Sequence, residues 1–119
     1  MYKINFYKAS NGHEPVREYV EELASKTDKS NRIKLNKIRD YMKILSEHGT
    51  RAGLPYIKHI EDDLWELRPL RDRIFFIGWN GNRFILLHHF IKKTKKTPTK
   101  EIEQAKRNME DFIERSGKK

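Results

Sequence analysis

Between residues 92 and 96 the chain reads Lys92-Lys93-Thr94-Lys95-Lys96, four ammonium groups in five positions. They repel one another unless anions lie between them, which makes the run a ready site for phosphate. It follows the apolar stretch Arg83–Ile91 and precedes Thr97-Pro98, a helix start signal, so the fold holds it at a strand-to-helix junction. Arg68 and Arg73 flank the short connection Pro69–Asp72, which brings two guanidinium groups toward one end of a sheet. A guanidinium fork matches two phosphate oxygens, and its charge complements a phosphorane-like transition state. The chemistry suggested is cleavage or binding of a phosphodiester by fixed cations. Each feature also has a plainer account. The lysines read equally as a solvated footprint that binds phosphate without cleaving it, and the arginines as ion-pair partners of Glu66, Asp72 or Glu61-Asp62-Asp63.

His88 and His89 fall on opposite faces of one strand, so at most one of them faces a given site. An adjacent pair on a regular strand cannot chelate one metal, and His13, His48 and His59 show no HExxH-like spacing, so no metal is expected. The chain has no cysteine, which removes thiol nucleophiles, cysteine-based zinc sites and disulfides together. It has no Walker loop, no GxGxxG and no GxSxG. Nucleotide-cofactor chemistry and serine hydrolysis therefore lack support, and no cofactor is expected.

The elements that must position these residues follow from periodicity. Tyr2–Lys8 alternates in part and reads as a strand, ended by Ser10-Asn11-Gly12. Pro15 suits the first turn of a helix whose apolar stripe is Val16, Tyr19, Val20 and Leu23. Thr27-Asp28-Lys29-Ser30 offers caps for a second helix carrying Leu35, Ile38, Met42 and Leu45, which Gly49 ends. Joined by so short a loop, the two helices should form an antiparallel hairpin. From Leu64 the period becomes two, giving strands over Leu64–Leu70, Arg73–Trp79 and Arg83–Ile91. Asn80-Gly81 is a hairpin turn that makes Trp79 and Arg83 neighbours. Both alternating sets are apolar, Phe75, Ile77 and Trp79 against Ile74 and Phe76, so the sheet should be covered on one face by helices and partly on the other by protein or ligand. Thr97 is expected to cap a last helix that begins at Pro98 and carries Ile102, Ala105, Met109 and Phe112, with Ser116–Lys119 frayed. The order is β-α-α-β-β-β-α.

With 119 residues this is the length of a single domain, 1–119, able to bury roughly two-thirds of its unfolded surface without staples. Twenty-six Lys and Arg stand against 17 Asp and Glu, a net charge of +9, which favours a polyanionic or acidic partner. Seven of those nine excess charges fall within residues 64–100, so the functional surface is expected in the second half. No run approaches a membrane span and Met1-Tyr2-Lys3-Ile4-Asn5 lacks a signal-peptide core, which reads as soluble and cytoplasmic.

Several segments carry a resemblance together: Leu54-Pro55-Tyr56-Ile57-Lys58, Leu64-Trp65-Glu66-Leu67-Arg68, Arg73-Ile74-Phe75-Phe76, the run from Leu86 through Lys92-Lys93-Thr94-Lys95-Lys96 to Pro98, and Glu101-Ile102 with Ala105. In their order and spacing they resemble the HigB-like, phage-related branch of the RelE/ParE toxin superfamily, over nearly the whole chain and most densely from 54 to 107. The resemblance implies an α+β, RelE-like fold: an antiparallel sheet of about four strands packed against an N-terminal helical hairpin, with a C-terminal helix. It implies a type II toxin held by a helix-turn-helix, HigA-like antitoxin in an oligomeric, operator-binding complex. It further implies a metal-independent endoribonuclease that cleaves mRNA on the ribosome and inhibits translation, the ribose 2′-hydroxyl attacking the adjacent phosphate as the 5′-oxygen leaves.

Carried over residue by residue, Arg73 matches the family's transition-state arginine and Arg68 the arginine closing the segment before it. Lys92 and Lys93 match the basic residues ending the last strand, and Lys96 the one before the Thr-Pro signal. The resemblance therefore assigns catalysis to Arg68, Arg73, Lys92 and Lys93, and RNA contacts to Lys58, Lys95, Lys96 and His88. The family commonly has glycine after the strand histidine, where this chain has His89. The acceptor of the 2′-proton stays open among a lysine of depressed pKa, His88 and Glu66. Two other functions compete: a ParE-like, non-enzymatic inhibitor of DNA gyrase on a nearly identical fold, and a non-catalytic RNA-binding module. A double-stranded-RNA domain shares three strands and a helix but begins with a helix, unlike this chain.

Overall fold

The structure is a computed structural model that describes residues 1–117. Its elements are β1 (Lys3–Phe6), α1 (Pro15–Ala24), α2 (Lys29–His48), a single 3-10 turn (Gly49–Ala52), β2 (Ile57–Glu61), β3 (Leu64–Leu67), β4 (Asp72–Trp79), β5 (Arg83–Ile91) and α3 (Thr99–Arg115). The α+β class and the helical hairpin agree with the expectation.

Local chemistry explains the helix ends. Pro15 occupies the first turn of α1. The Asp28 carboxylate accepts from the Asn31 amide at 3.1 Å and caps α2. Gly49 closes α2 at φ +63°, where a Cβ would lie 2.8 Å from Cε2 of Tyr2. Helix α3 begins one residue later than expected. Pro98 has extended ψ of 137° and stands at the cap position, while the Thr97 hydroxyl donates to Glu66 Oε2 at 3.4 Å instead of capping the helix.

The sheet has five strands in the order β1-β5-β4-β3-β2, against the four expected, and it is mixed. Strand β2 escaped the periodicity argument because Ile57 and Ile60 sit among Lys58, His59 and Glu61 without clean alternation, and the pairing with β3 slips between His59 and Glu61. Strand β1 pairs parallel with β5, Ile4 opposite Phe84. Reaching that edge strand by way of both helices and three strands, β5 enters the sheet in the direction of β1, a non-local outcome that no short-range pattern encodes. The β4–β5 hairpin is as expected: Asn80 and Gly81 take φ of +57° and +74°, and Trp79 registers with Arg83.

Two cores form on the two faces. The hairpin face joins Val16, Leu23, Leu35, Ile38 and Leu45 to Ile57, Leu67, Ile74, Phe76, Phe84 and Leu86. The other face joins Leu64, Phe75, Ile77, Ile85, Leu87 and Phe90 to Ala105 of α3, with Ile102, Met109 and Phe112 packed alongside. Helix α3 thus supplies the protein cover that the second apolar set required. A single irregularity interrupts the central hairpin. The β4–β5 register moves by one residue between Phe76, opposite Leu86, and Phe75, opposite His88. The extra residue, Leu87, has its carbonyl bonded by the Asn108 side-chain amide at 2.8 Å. Ser116 still bonds back into α3 through its amide to Phe112 O at 3.0 Å, and Lys118 and Lys119 of the tail lie outside the described residues.

Candidate active site

The connection after β3 and the junction after β5 are drawn together by backbone. The Lys92 amide donates to the Arg71 carbonyl at 2.8 Å, and Arg71 Nη1 donates to the Lys92 carbonyl at 3.3 Å. The β3–β4 turn closes through the Asp72 amide on the Pro69 carbonyl at 3.0 Å, with Leu70 at φ +57°. Between these segments lies a cleft of about 530 Å³ lined by Arg71, Arg73, Lys92, Lys93, Thr94 and Lys95. Five of the six are cations and none is acidic. Thr94 tightens the junction by donating its hydroxyl to the Lys96 carbonyl at 2.7 Å.

Arg73 is only 8% exposed. Its Nη1 donates to the carbonyls of Leu70 and Asp72, both at 2.8 Å, which fixes the guanidinium against the turn. Behind it lies Glu66, 1% exposed, with Oε1 3.5 Å from Arg68 Nε and 3.9 Å from Arg73 Nε. Neither Nε makes a hydrogen bond among the described residues. Burial, and then repulsion from Arg68, lower the Arg73 pKa against the pull of Glu66 and Asp72, yet a guanidinium keeps its proton. Burial, followed by the charges of Arg73 and Arg68, also lowers Lys92 below the ordinary lysine value, with Lys58 adding to the effect. A buried cation crowded by cations gains most from an incoming anion.

The residues named from sequence are therefore not equivalent. Arg73, Lys92, Lys93 and Lys95 line one cleft. Arg68 is absent from the lining and shares Glu66 Oε1 with Arg73. Lys58 registers opposite Glu66 on β2 and is exposed. Lys96 is exposed outside the lining. His88 donates Nε2–H to Glu101 Oε1 at 2.7 Å on the α3 face. His89, on the opposite face of the strand, meets the hairpin: it stacks on Tyr19 with centroids 3.6 Å apart and donates Nε2–H to Asp72 Oδ1 at 2.9 Å. The Tyr19 hydroxyl donates to the same oxygen at 2.8 Å, and Lys34 Nζ is 3.8 Å away. Burial opposes the Asp72 charge, but His89, Tyr19 and Lys34 outweigh it and hold the carboxyl below its usual range, while burial and the Asp72 carboxylate raise the Tyr19 hydroxyl. His89 is thus the anchor between β5, α1 and the turn that carries Arg73.

Sequence reasoning missed Arg71 and Thr94 as lining residues, and Asp72 and Tyr19 as supports. Counting register from the Trp79–Arg83 pair would have set Arg71 opposite Ile91; only the shift at Leu87 sets it beside Lys92. Among the described residues, no group of three His, Asp and Glu side chains is arranged to hold a metal ion, and no helix is long and apolar enough to cross a membrane.

The family described as Phage derived protein Gp49-like (DUF891) matches residues 22–110, from the end of α1 to the middle of α3, and so includes every residue lining the cleft. The chain belongs to this family. The Gp49-like family is a RelE/HigB-like toxin family, consistent with the toxin of a toxin–antitoxin pair and with an antitoxin as partner. No curated protein matches the chain. In this Gp49-like chain the segments that carry the resemblance converge in space, for Arg73 and the lysine run meet at one concave surface although strand β5 and its hairpin turn separate them in sequence.

Proposed function

We propose that the chain is a HigB-type toxin that cleaves mRNA on the ribosome and so inhibits translation, acting as a metal-independent endoribonuclease. The observation that carries this reading is the cleft itself, five cations on fixed backbone around a space open to solvent with no carboxylate in its lining. Cations so placed stabilise a phosphorane, whose negative charge exceeds that of the phosphodiester, more than they stabilise the bound message.

In this reading the scissile phosphate sits between Arg73 and Lys93, with Arg71 and Lys95 on its flanks. The 2′-hydroxyl attacks phosphorus in line and gives up its proton, and the P–O5′ bond breaks as O5′ takes up a proton, giving a 2′,3′-cyclic phosphate and a 5′-hydroxyl end. Lys92 serves the proton transfer from its place in the cleft lining, where burial and the charges of Arg73 and Arg68 favour loss of its proton relative to an ordinary lysine. Glu66 and His88 serve it less well: Glu66 is buried between two arginines, and His88 is bound to Glu101. Glu66 and the carbonyls of Leu70 and Asp72 hold Arg73 in place. A helix-turn-helix antitoxin of HigA type restrains the toxin in an operator-binding complex, and a +9 surface favours fast association with an acidic partner.

Primer extension on ribosome-bound message tests the reading. Wild type is expected to give discrete cuts, Arg73→Ala and Lys93→Ala to lose them while remaining folded by circular dichroism. Intact message beside translating ribosomes, or a DNA-damage response with translation unaffected, would overturn it.

A further inference from the structure

A second depression, of about 430 Å³, adjoins the cationic cleft and shares Lys93 and Thr94 as a common wall. Its character differs. Phe90, Ile91 and Pro98 supply apolar surface beside Lys93, Lys100 and His89; Phe90 is largely buried, whereas Ile91 is 40% exposed although it is a large aliphatic side chain at the end of a strand. One carboxylate, that of Glu101 in the first turn of α3, also lines it. Glu101 is not free to turn, because His88 donates to its Oε1 at 2.7 Å and His88 is itself stacked parallel to Phe75 at 6.1 Å between ring centroids. Oε2 remains as an acceptor on a fixed arm. A carboxylate is out of place in a site that holds phosphate alone, since it would repel the ligand.

We infer that this second depression is a nucleobase subsite, seating the base attached to the phosphate held in the cationic cleft, with Glu101 Oε2 reading an exocyclic amino group. The inference rests on the RNA reading of the first cleft. Three properties carry it. The two depressions share Lys93 and Thr94 as a wall, so they adjoin and one nucleotide can be tested as a ligand of both. The apolar surface suits the face of a planar ring and does nothing for a phosphate. The fixed acceptor selects among bases: adenine, cytosine and guanine each offer an amino group, whereas the N–H of uracil lies between two carbonyl oxygens that a carboxylate repels. Selection of this kind, one hydrogen bond gained against one repulsion, corresponds to about fivefold or more in affinity. Glu101 is a specificity residue here and takes no part in bond breaking.

The test is direct binding, independent of cleavage. Wild-type protein is titrated at low salt with inorganic phosphate, ribose 5-phosphate and the four nucleoside 3′-monophosphates, followed by amide chemical shifts. Adenosine, cytidine and guanosine 3′-monophosphates should move the amides of Ile91 and Glu101 and bind about fivefold more tightly than uridine 3′-monophosphate or ribose 5-phosphate. In Glu101→Gln, which keeps the size of the side chain and adds a donor, the uridine nucleotide should draw level with the others. If all phosphates bind alike and only amides around Arg71, Lys92 and Thr94 respond, the subsite is wrong while the cationic cleft stands. If no phosphate binds, the reading of the cleft fails and takes the subsite with it.

Discussion

At the scale of single residues, the two buried carboxylates do different work. Glu66 lies between Arg68 and Arg73 and sets where the second guanidinium rests. Asp72 ties Tyr19, His89 and Lys34 to the start of β4, and its carbonyl receives Arg73 Nη1. Removing Asp72 leaves His89 and Tyr19 without their common acceptor, so Asp72→Ala should lose about 3 kcal/mol in urea denaturation at pH 7. The sign with pH comes from the lowered pKa. The carboxylate contributes its stability above the ordinary value of 3.8, and that contribution is lost as pH falls through the depressed folded value, so the difference between Asp72→Ala and wild type should shrink in acid. Lys92 behaves in the opposite sense toward ligands. Its ammonium is lost at a lower pH than an ordinary lysine's, so on raising pH the affinity for a single-stranded oligodeoxynucleotide should begin to weaken before ordinary lysines titrate, and Lys92→Arg should remove that early part of the decline in fluorescence anisotropy.

Among the elements, the shift at Leu87 in β5 decides which side chains reach the cleft. A strand alternates faces with period two, so one extra residue exchanges the faces of every later position. Without it His89 would lie on the α3 face and His88 toward the hairpin; with it His88 meets Glu101 and His89 meets Tyr19. The device depends on Asn108, whose side chain accepts from Gln104 at 2.9 Å and donates to the Leu87 carbonyl. Asn108→Ala should therefore cost about 1–3 kcal/mol in chemical denaturation through the orphaned carbonyl, and should move the amide resonances of 88–93 more than those of the hairpin. At the other end of the sheet Gly49 stops α2 at φ +63° hard against Tyr2. Gly49→Ala should cost about 1–3 kcal/mol, measured the same way, because the backbone is strained and the Tyr2 ring must give.

Across the whole molecule the excess charge is concentrated where β3, β4, β5 and α3 meet. A ligand held by phosphate contacts should release counterions, with a logarithmic salt slope of roughly −0.7 per contact on a single strand. Arg73→Ala and Lys93→Ala should each reduce that slope by roughly 0.7 in binding titrations between about 50 and 200 mM salt, whereas substitution of Lys29, on the exposed first turn of α2, should leave it unchanged. Much of the architecture was legible beforehand. Apolar stripes at helical spacing placed all three helices, the caps at Asp28 and Gly49 bounded one of them, and Asn80-Gly81 located the β4–β5 turn, because such signals depend on residues a few positions apart. The charge run and the arginines marked the region of the cleft for the same reason. What only tertiary structure decided was non-local. The parallel placement of β1, the edge strand β2, the choice of Glu66 from among the candidate carboxylates beside Arg73, the contribution of Arg71 and the opposed duties of His88 and His89 all depend on which segments pair and in what register. Register answers to packing across the sheet rather than to neighbours along the chain, and here a single unpaired residue, held by a side chain from another element, sets it.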